Sequence, residues 1–195
     1  MEKSADKEEA LAENILNILN ILDPNKELLS EEVFKNTPKR LANVFIDFSQ
    51  GFSADIDSIV GNSIFEANNY DDIIIIKDID FSSLCEHHLL PFFGKIDIGY
   101  IPNEKILGLS KFPRIVEAIS AKFTLQERLT QELAEIIDKY LNTKGVIVVM
   151  NAKHSCMSFR GIKSMNSFTK TVNCTGAFKG NNSENYINRF FQLSK

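Results

Sequence analysis

Ser83-Leu84-Cys85-Glu86-His87-His88-Leu89-Leu90-Pro91-Phe92 places a thiol and two imidazoles within four residues. Before it, Ile73 to Ile76 is an apolar β-branched run, which predicts a short buried strand ending ahead of the loop. After it, from Gly94, Ile96, Ile98 and Tyr100 alternate with Lys95 and Asp97, which predicts a half-buried strand ending at Pro102. The Cys-Glu-His-His stretch is therefore expected as the connection between two strands. A second stretch answers it from far along the chain: His154-Ser155-Cys156-Met157-Ser158-Phe159-Arg160.

The chain has three histidines and three cysteines, and all the histidines and two of the cysteines fall in these two stretches. Soft ligands pooled in this way point to one metal site closed by folding. Cys85 and His88 are three residues apart and can grip one ion, with Cys156 as a third ligand. Thiolate plus imidazole favours zinc. A structural zinc takes four protein ligands, whereas a catalytic zinc takes three and keeps a water. Three ligands with His87 and His154 to spare point to the open kind. Zinc lowers the pKa of bound water to about 7, and a neighbouring His is the usual proton carrier at that pH. Three other readings stay open at this level. Cys85 and Cys156 could pair as a disulfide, His87 or His154 could close the site as fourth ligand, or the spare histidines could be ordinary loop residues.

Charge and length narrow the classes. A chain of 195 residues suits one domain with at most a small appendage. A net charge of −4 argues against non-specific nucleic-acid binding. The first ten residues are charged and lack the apolar core of a signal peptide. No window approaches the ~20 apolar residues of a membrane span. An odd, small number of cysteines does not make a disulfide scaffold. A cytoplasmic, reducing location is expected, with Cys174 as a buried strand residue.

The helices come at both ends and in the middle. Leu11, Ile15, Ile18 and Leu22 predict a helix over residues 8–22, stopped by Asp23-Pro24, with the first seven residues disordered. Ser30 opens a short helix, and Thr37-Pro38 opens another carrying Leu41, Val44, Phe45 and Phe48 on one face. Arg40 would lie in that first turn, as a solvated cation or as part of an anion site. Residues 52–70 read as irregular, with a short helix near Asp57. Ser110 caps a helix whose first turn carries Lys111 and Arg114, two cations that an anion would stabilise there. Thr124-Leu125-Gln126-Glu127 reads as a capping box. The helix after it turns Leu129, Leu133, Ile137 and Leu141 inward. Residues 145–151 are a continuous apolar run, hence a buried strand. On its extension, His154 and Cys156 would point to the same side. Residues 169–178 predict the last strand and 183–193 a terminal helix.

This order predicts an α+β fold: a four-stranded antiparallel sheet with two helices on one face, preceded by N-terminal helices. The boundary is placed between a helical segment, 1–50, and the main domain, 51–195. Four strands leave open edges, which predicts a homo-oligomer.

Taken together, several motifs resemble one family. Cys85-Glu86-His87-His88 with Pro91-Phe92 and Gly94, Gly108-Leu109-Ser110-Lys111, Gln126-Glu127-Arg128-Leu129-Thr130, and His154-Ser155-Cys156-Met157 with Arg160-Gly161 are similar to the signature of GTP cyclohydrolase I, in order and spacing. The resemblance implies the tunnelling fold, a decamer of two pentamers with active sites between subunits, and one zinc ion per subunit. It implies hydrolysis of GTP to 7,8-dihydroneopterin triphosphate and formate, the first step toward folate or tetrahydrobiopterin. Residue by residue, it makes Cys85, His88 and Cys156 the zinc ligands and His87 and His154 the catalytic histidines, with His154 protonating the imidazole nitrogen of the purine. It puts Gln126 and Glu127 at the guanine edge, and Arg40, Ser110, Lys111, Arg114 and Arg160 around the triphosphate. Phe112-Pro113 departs from the smaller residues usual there. Two rival readings are a zinc-stabilised binding module without catalysis, and a tunnelling-fold enzyme acting on another purine or pterin.

Overall fold

The computed structural model of the chain describes residues 2–180 and 183–194. It divides into two compact units, Met1–Gln50 and Gly51–Lys195.

The first unit is a pair of packed helices, α1 (Glu2–Leu22) and α2 (Glu31–Asp47). α1 starts at Glu2, so the disorder expected for residues 1–7 is not found in the described part; Met1 lies outside it. The two short helices expected after residue 30 are one. Pro38 sits inside α2, where it removes one backbone hydrogen bond. Pro38 and Ala42, one turn apart, are both buried, and packing of that face outweighs the missing bond. Arg40 consequently lies in mid-helix and not at a helix N-terminus. It pairs with Glu32 at 2.9 Å, and of the two readings left open for it, the helix-end anion site does not form. Asp23, 2% exposed, accepts hydrogen bonds from the backbone N–H groups of Glu27, Leu28 and Leu29 and so shapes the turn between the helices.

The second unit is built on β2 (Ile74–Cys85), β3 (Pro91–Ile101), β6 (Gly145–His154) and β7 (Thr169–Cys174), each antiparallel to the next. The predicted four-stranded antiparallel sheet is thus present. A two-residue strand, β5 (Phe123–Thr124), extends it in parallel beside β2. β1 (Ile64–Glu66) and β4 (Lys105–Leu107) form a separate two-stranded sheet, and α3 (Ile56–Val60) is the short helix expected near Asp57. β2 is far longer than the Ile73 to Ile76 run suggested. A bulge between Ile76 and Ile79, with Asp78 at φ 57°, interrupts the alternation without ending the strand.

Two helices, α4 (Lys111–Ser120) and α5 (Gln126–Leu141), cover one face. Phe112, Ile115, Val116, Ile119, Leu129, Leu133 and Ile137 pack there against Ile96, Ile98, Tyr100, Val146, Val148 and Met150. The other face of β6 carries Ile147 and Val149, which meet Phe178 and Phe190, the latter from α7 (Glu184–Leu193). β6 is buried on both faces, which explains its unbroken apolar run. The last predicted strand is shorter than 169–178: β7 stops at Cys174 and the chain bends at Gly176, φ 50°. Cys174 is half-buried. Among the described residues no helix is long and apolar enough to cross a membrane.

Candidate metal centre and active site

β2 ends at Cys85 and β3 begins at Pro91, so the Cys-Glu-His-His stretch is the hairpin loop that was expected. The loop is closed from within. Cys85 N–H donates to Leu90 O at 2.9 Å, and Leu89, at φ 55°, donates back to Cys85 O at 2.8 Å. Two bonds tie it to the neighbouring elements: Glu86 N–H to Thr124 O at 3.2 Å, and Arg128 on α5 to the Glu86 carboxylate at 2.7 Å. β3 aligns with β6 so that Phe92 stands opposite His154. Gly94 keeps these strands close, since a Cβ there would lie 2.0 Å from Asn151 O.

The strand ends at His154. Cys156 lies in a single helical turn, α6 (Ser155–Ser158), and not on the strand extension predicted for it. Four residues are too few for a helical pattern to show in sequence. The turn nonetheless brings Cys156 to the hairpin loop: the ligand atoms of Cys85, His88 and Cys156 all lie within 4.8 Å of one another. Two sulfurs and an imidazole nitrogen at that separation fit a zinc-type ion. Burial pushes the Cys156 thiol up, and the adjacent Cys85 sulfur adds to the shift, while Arg160 pulls the other way. A divalent cation among these donors would favour the thiolates. His87 is exposed on the same loop, its ring 6.4 Å from that of His88.

His154 is held on two sides. Its ring stacks on Phe92, centroids 4.9 Å apart and planes within 1°. Its Nε2 lies 2.7 Å from Gln126 Oε1. Burial keeps His154 below the ordinary imidazole value, and the Glu127 carboxylate raises it part of the way back. Gln126 is 1% exposed. Its amide nitrogen faces Met150 O at 3.1 Å, Thr169 O at 3.0 Å and Thr171 Oγ1 at 3.1 Å. Its side chain therefore turns inward. Thr130 supports the group, donating to Gln126 O at 2.7 Å and lying 2.6 Å from Thr171 Oγ1. The capping box predicted at residues 124–127 does not form. Thr124 is buried in β5, Leu125 is the residue before α5, and no side chain caps that end. Glu127 is exposed and has no capping duty.

Among the described residues, none of the predicted cations hydrogen-bonds to His154 or Gln126. Ser110 occupies the position before α4 but makes no side-chain cap, contrary to expectation, because its backbone is already helical. Lys111 and Arg114 follow in the first turn, Lys111 Nζ donating to Ile59 O at 2.6 Å and Arg114 exposed. Arg160 is exposed just after α6. Arg40 belongs to the helical unit. Phe92, Thr130, Thr171 and the Glu86–Arg128 pair are site residues that sequence reasoning does not single out. Phe92 and Arg128 stand inside the family-like motifs, whereas nothing in the sequence marks Thr171.

This is an α+β protein with a three-donor Cys/His metal-type centre at the end of its sheet and a histidine braced beside it. The family model described as GTP cyclohydrolase I matches residues 11–195, and the chain belongs to that family. It is 44% identical over 179 residues to the GTP cyclohydrolase 1 of Porphyromonas gingivalis, covering 89% of this chain and 90% of that protein. It is 38% identical over 186 residues to the GTP cyclohydrolase 1 of Campylobacter lari, covering 95% of each. A solved structure, the archaeosine synthase QueF-Like in the apo form, is 19% identical, spans 54% of this chain and 94% of its own, and superposes with a TM-score of 0.44.

Proposed function

We propose that this protein is a zinc-dependent GTP cyclohydrolase I, hydrolysing GTP to 7,8-dihydroneopterin triphosphate and formate. The observation that carries the reading is the convergence of Cys85, His88 and Cys156 within 4.8 Å, two residues from a braced His154. Among the described residues that cluster has three donors, which suits a metal that keeps one position open. Bound there, zinc would supply Lewis acidity, making hydroxide available near neutral pH.

The chain's own groups do the rest. Glu127, exposed at the start of α5, accepts from the guanine edge. Lys111, Arg114 and Arg160 offer charge-assisted hydrogen bonds to the triphosphate, with Ser110 as a neutral donor and Arg40 as a further cation. An acidic protein needs such local cations to hold a polyanion. His154 passes a proton to the imidazole nitrogen of the purine as the ring opens, and His87 serves as the second proton-transfer group. Apart from Arg40, the residues of this chemistry lie in the domain 51–195. Decamers with sites between subunits, a cytoplasmic location and a place at the head of folate or tetrahydrobiopterin synthesis belong to the same proposal.

GTP turnover tests it, read as formate release together with the fluorescent neopterin formed after oxidation, with zinc measured on the same sample. Chelation should abolish turnover and zinc should restore it. A protein that holds zinc but leaves GTP intact would refute the reading.

A further inference from the structure

Gln126 is the most heavily bonded side chain near the metal centre, and its bonding pattern has only one solution. Two of the atoms facing its amide are backbone carbonyl oxygens, Met150 O at 3.1 Å and Thr169 O at 3.0 Å. A carbonyl oxygen accepts and never donates. The amide nitrogen must therefore face them, and its two protons are spent there. The amide oxygen is left pointing at His154 Nε2, 2.7 Å away. That oxygen also only accepts, so Nε2 must carry the proton.

We propose that Gln126 is a positioning residue that holds His154 as the Nε2–H tautomer, leaving Nδ1 as the atom that exchanges protons with substrate. The proposal rests on the cyclohydrolase reading for the identity of the substrate. The geometry is overdetermined. The amide is 1% exposed, the stacked Phe92 ring fixes the imidazole plane, and Thr130 and Thr171 hold the helix and strand on either side of the amide. Among the described residues no hydrogen bond is made to Nδ1. A ring pinned at one nitrogen and stacked on one face has only the other nitrogen to offer. This is the arrangement by which a neutral acceptor selects a histidine tautomer without charging the ring. It also explains how two neighbours in sequence come to serve different ends. Consecutive helix positions point in different directions, Glu127 outward and Gln126 inward.

Two measurements test it. The chain has only three histidines, so nitrogen-15 histidine labelling of the zinc-loaded enzyme gives few signals. His154 is assigned by the signal missing in His154→Gln. At a pH where the ring is neutral, solid-state spectra should show a protonated Nε2 and a bare Nδ1 for His154. The opposite tautomer overturns the proposal. The second measurement is the kinetics of Gln126→Met, which keeps the length and apolar bulk of the side chain. It should lose about 10- to 100-fold in kcat with KM for GTP within about twofold and zinc retained. A raised KM with unchanged kcat would mean that Gln126 binds guanine, and an unchanged kcat would also overturn the proposal. If Gln126→Met does not fold, the wild-type spectrum decides alone. The tautomer is read without turnover, so its failure is distinct from a failure of the wild-type protein to release formate from GTP.

Discussion

The candidate metal end of the sheet and the predicted phosphate-binding residues differ in how far the chain finishes them by itself. At the metal end the loop backbone, Glu86 and His154 are answered internally. The hairpin loop closes on its own backbone, Glu86 is tied to Arg128, and His154 is clamped between Phe92 and Gln126. Among the predicted phosphate-binding residues, Arg114 and Arg160 are exposed and Ser110 caps nothing, while Lys111 bonds to Ile59 O and Arg40 pairs with Glu32. Groups that perform bond-making gain from being held before the substrate arrives. Groups that hold a polyanion gain most when the anion itself satisfies them, since opposing charges built in from the protein would compete with it. On the proposed function the contrast would separate rate from affinity along the chain, and substitutions on the two sides should fail in different ways.

The largest effect belongs to the metal end. Cys156→Ala should lose zinc and turnover together, both measured on one preparation; an active zinc-free variant would remove Cys156 from the ligand set. Next, His154→Ala should retain zinc and lose about 10²- to 10⁴-fold in kcat, the usual share of a general acid–base group. Among the cations, Arg160→Ala should raise KM for GTP by about tenfold, the worth of one charge-assisted hydrogen bond, with a smaller change in kcat. An equal loss of kcat would blur the division between the two regions. The smallest effect lies at the far end of α5, where Tyr140 Oη donates to Asp57 at 2.5 Å. That bond, with burial and nearby carboxylates adding to it, pushes the Tyr140 hydroxyl up to about 12. The folded state thus favours the protonated phenol. Its contribution is complete below the ordinary tyrosine value near 10 and fades as pH rises through about 12. Tyr140→Phe should cost no more than about 1 kcal/mol at neutral pH and leave kcat unchanged, as denaturant unfolding and steady-state kinetics would report.

Much of this is legible in the residues, for identifiable reasons. The strands of the main sheet announce themselves because β6 is apolar on both faces and β3 alternates, and the pooling of His and Cys marks the candidate metal centre before any geometry is known. Where sequence and structure part, tertiary context decides. Asp78 in a bulge looks like a strand end, because period-2 alternation stops there while pairing does not. Pro38 looks like a helix start, because a proline inside a helix is tolerated only when packing repays it. Thr124-Leu125-Gln126-Glu127 has the composition of a capping box, but pairing with β2 claims Thr124 for a strand. The family resemblance puts Gln126, beside Glu127, at the guanine edge. Its inward direction depends on carbonyls at residues 150 and 169, which no local pattern reveals.

The alignment of Phe92 with His154 has a bearing on how the chain reaches its final state. Cys85 and His88 come together in a hairpin of neighbouring residues, a local event with little loop to close. Cys156 and His154 arrive only when β6 docks beside β3, across a chain separation of some sixty residues, and such distant pairings are the slow, entropically expensive part of folding. A slip of one residue in that docking would turn His154 to the opposite face of the sheet. A nascent chain can thus offer an ion two ligands early, and it can offer the third only after the strands have found their correct partners. Metal uptake would then act as an inspection step, retaining the chains in which the long-range pairing is right.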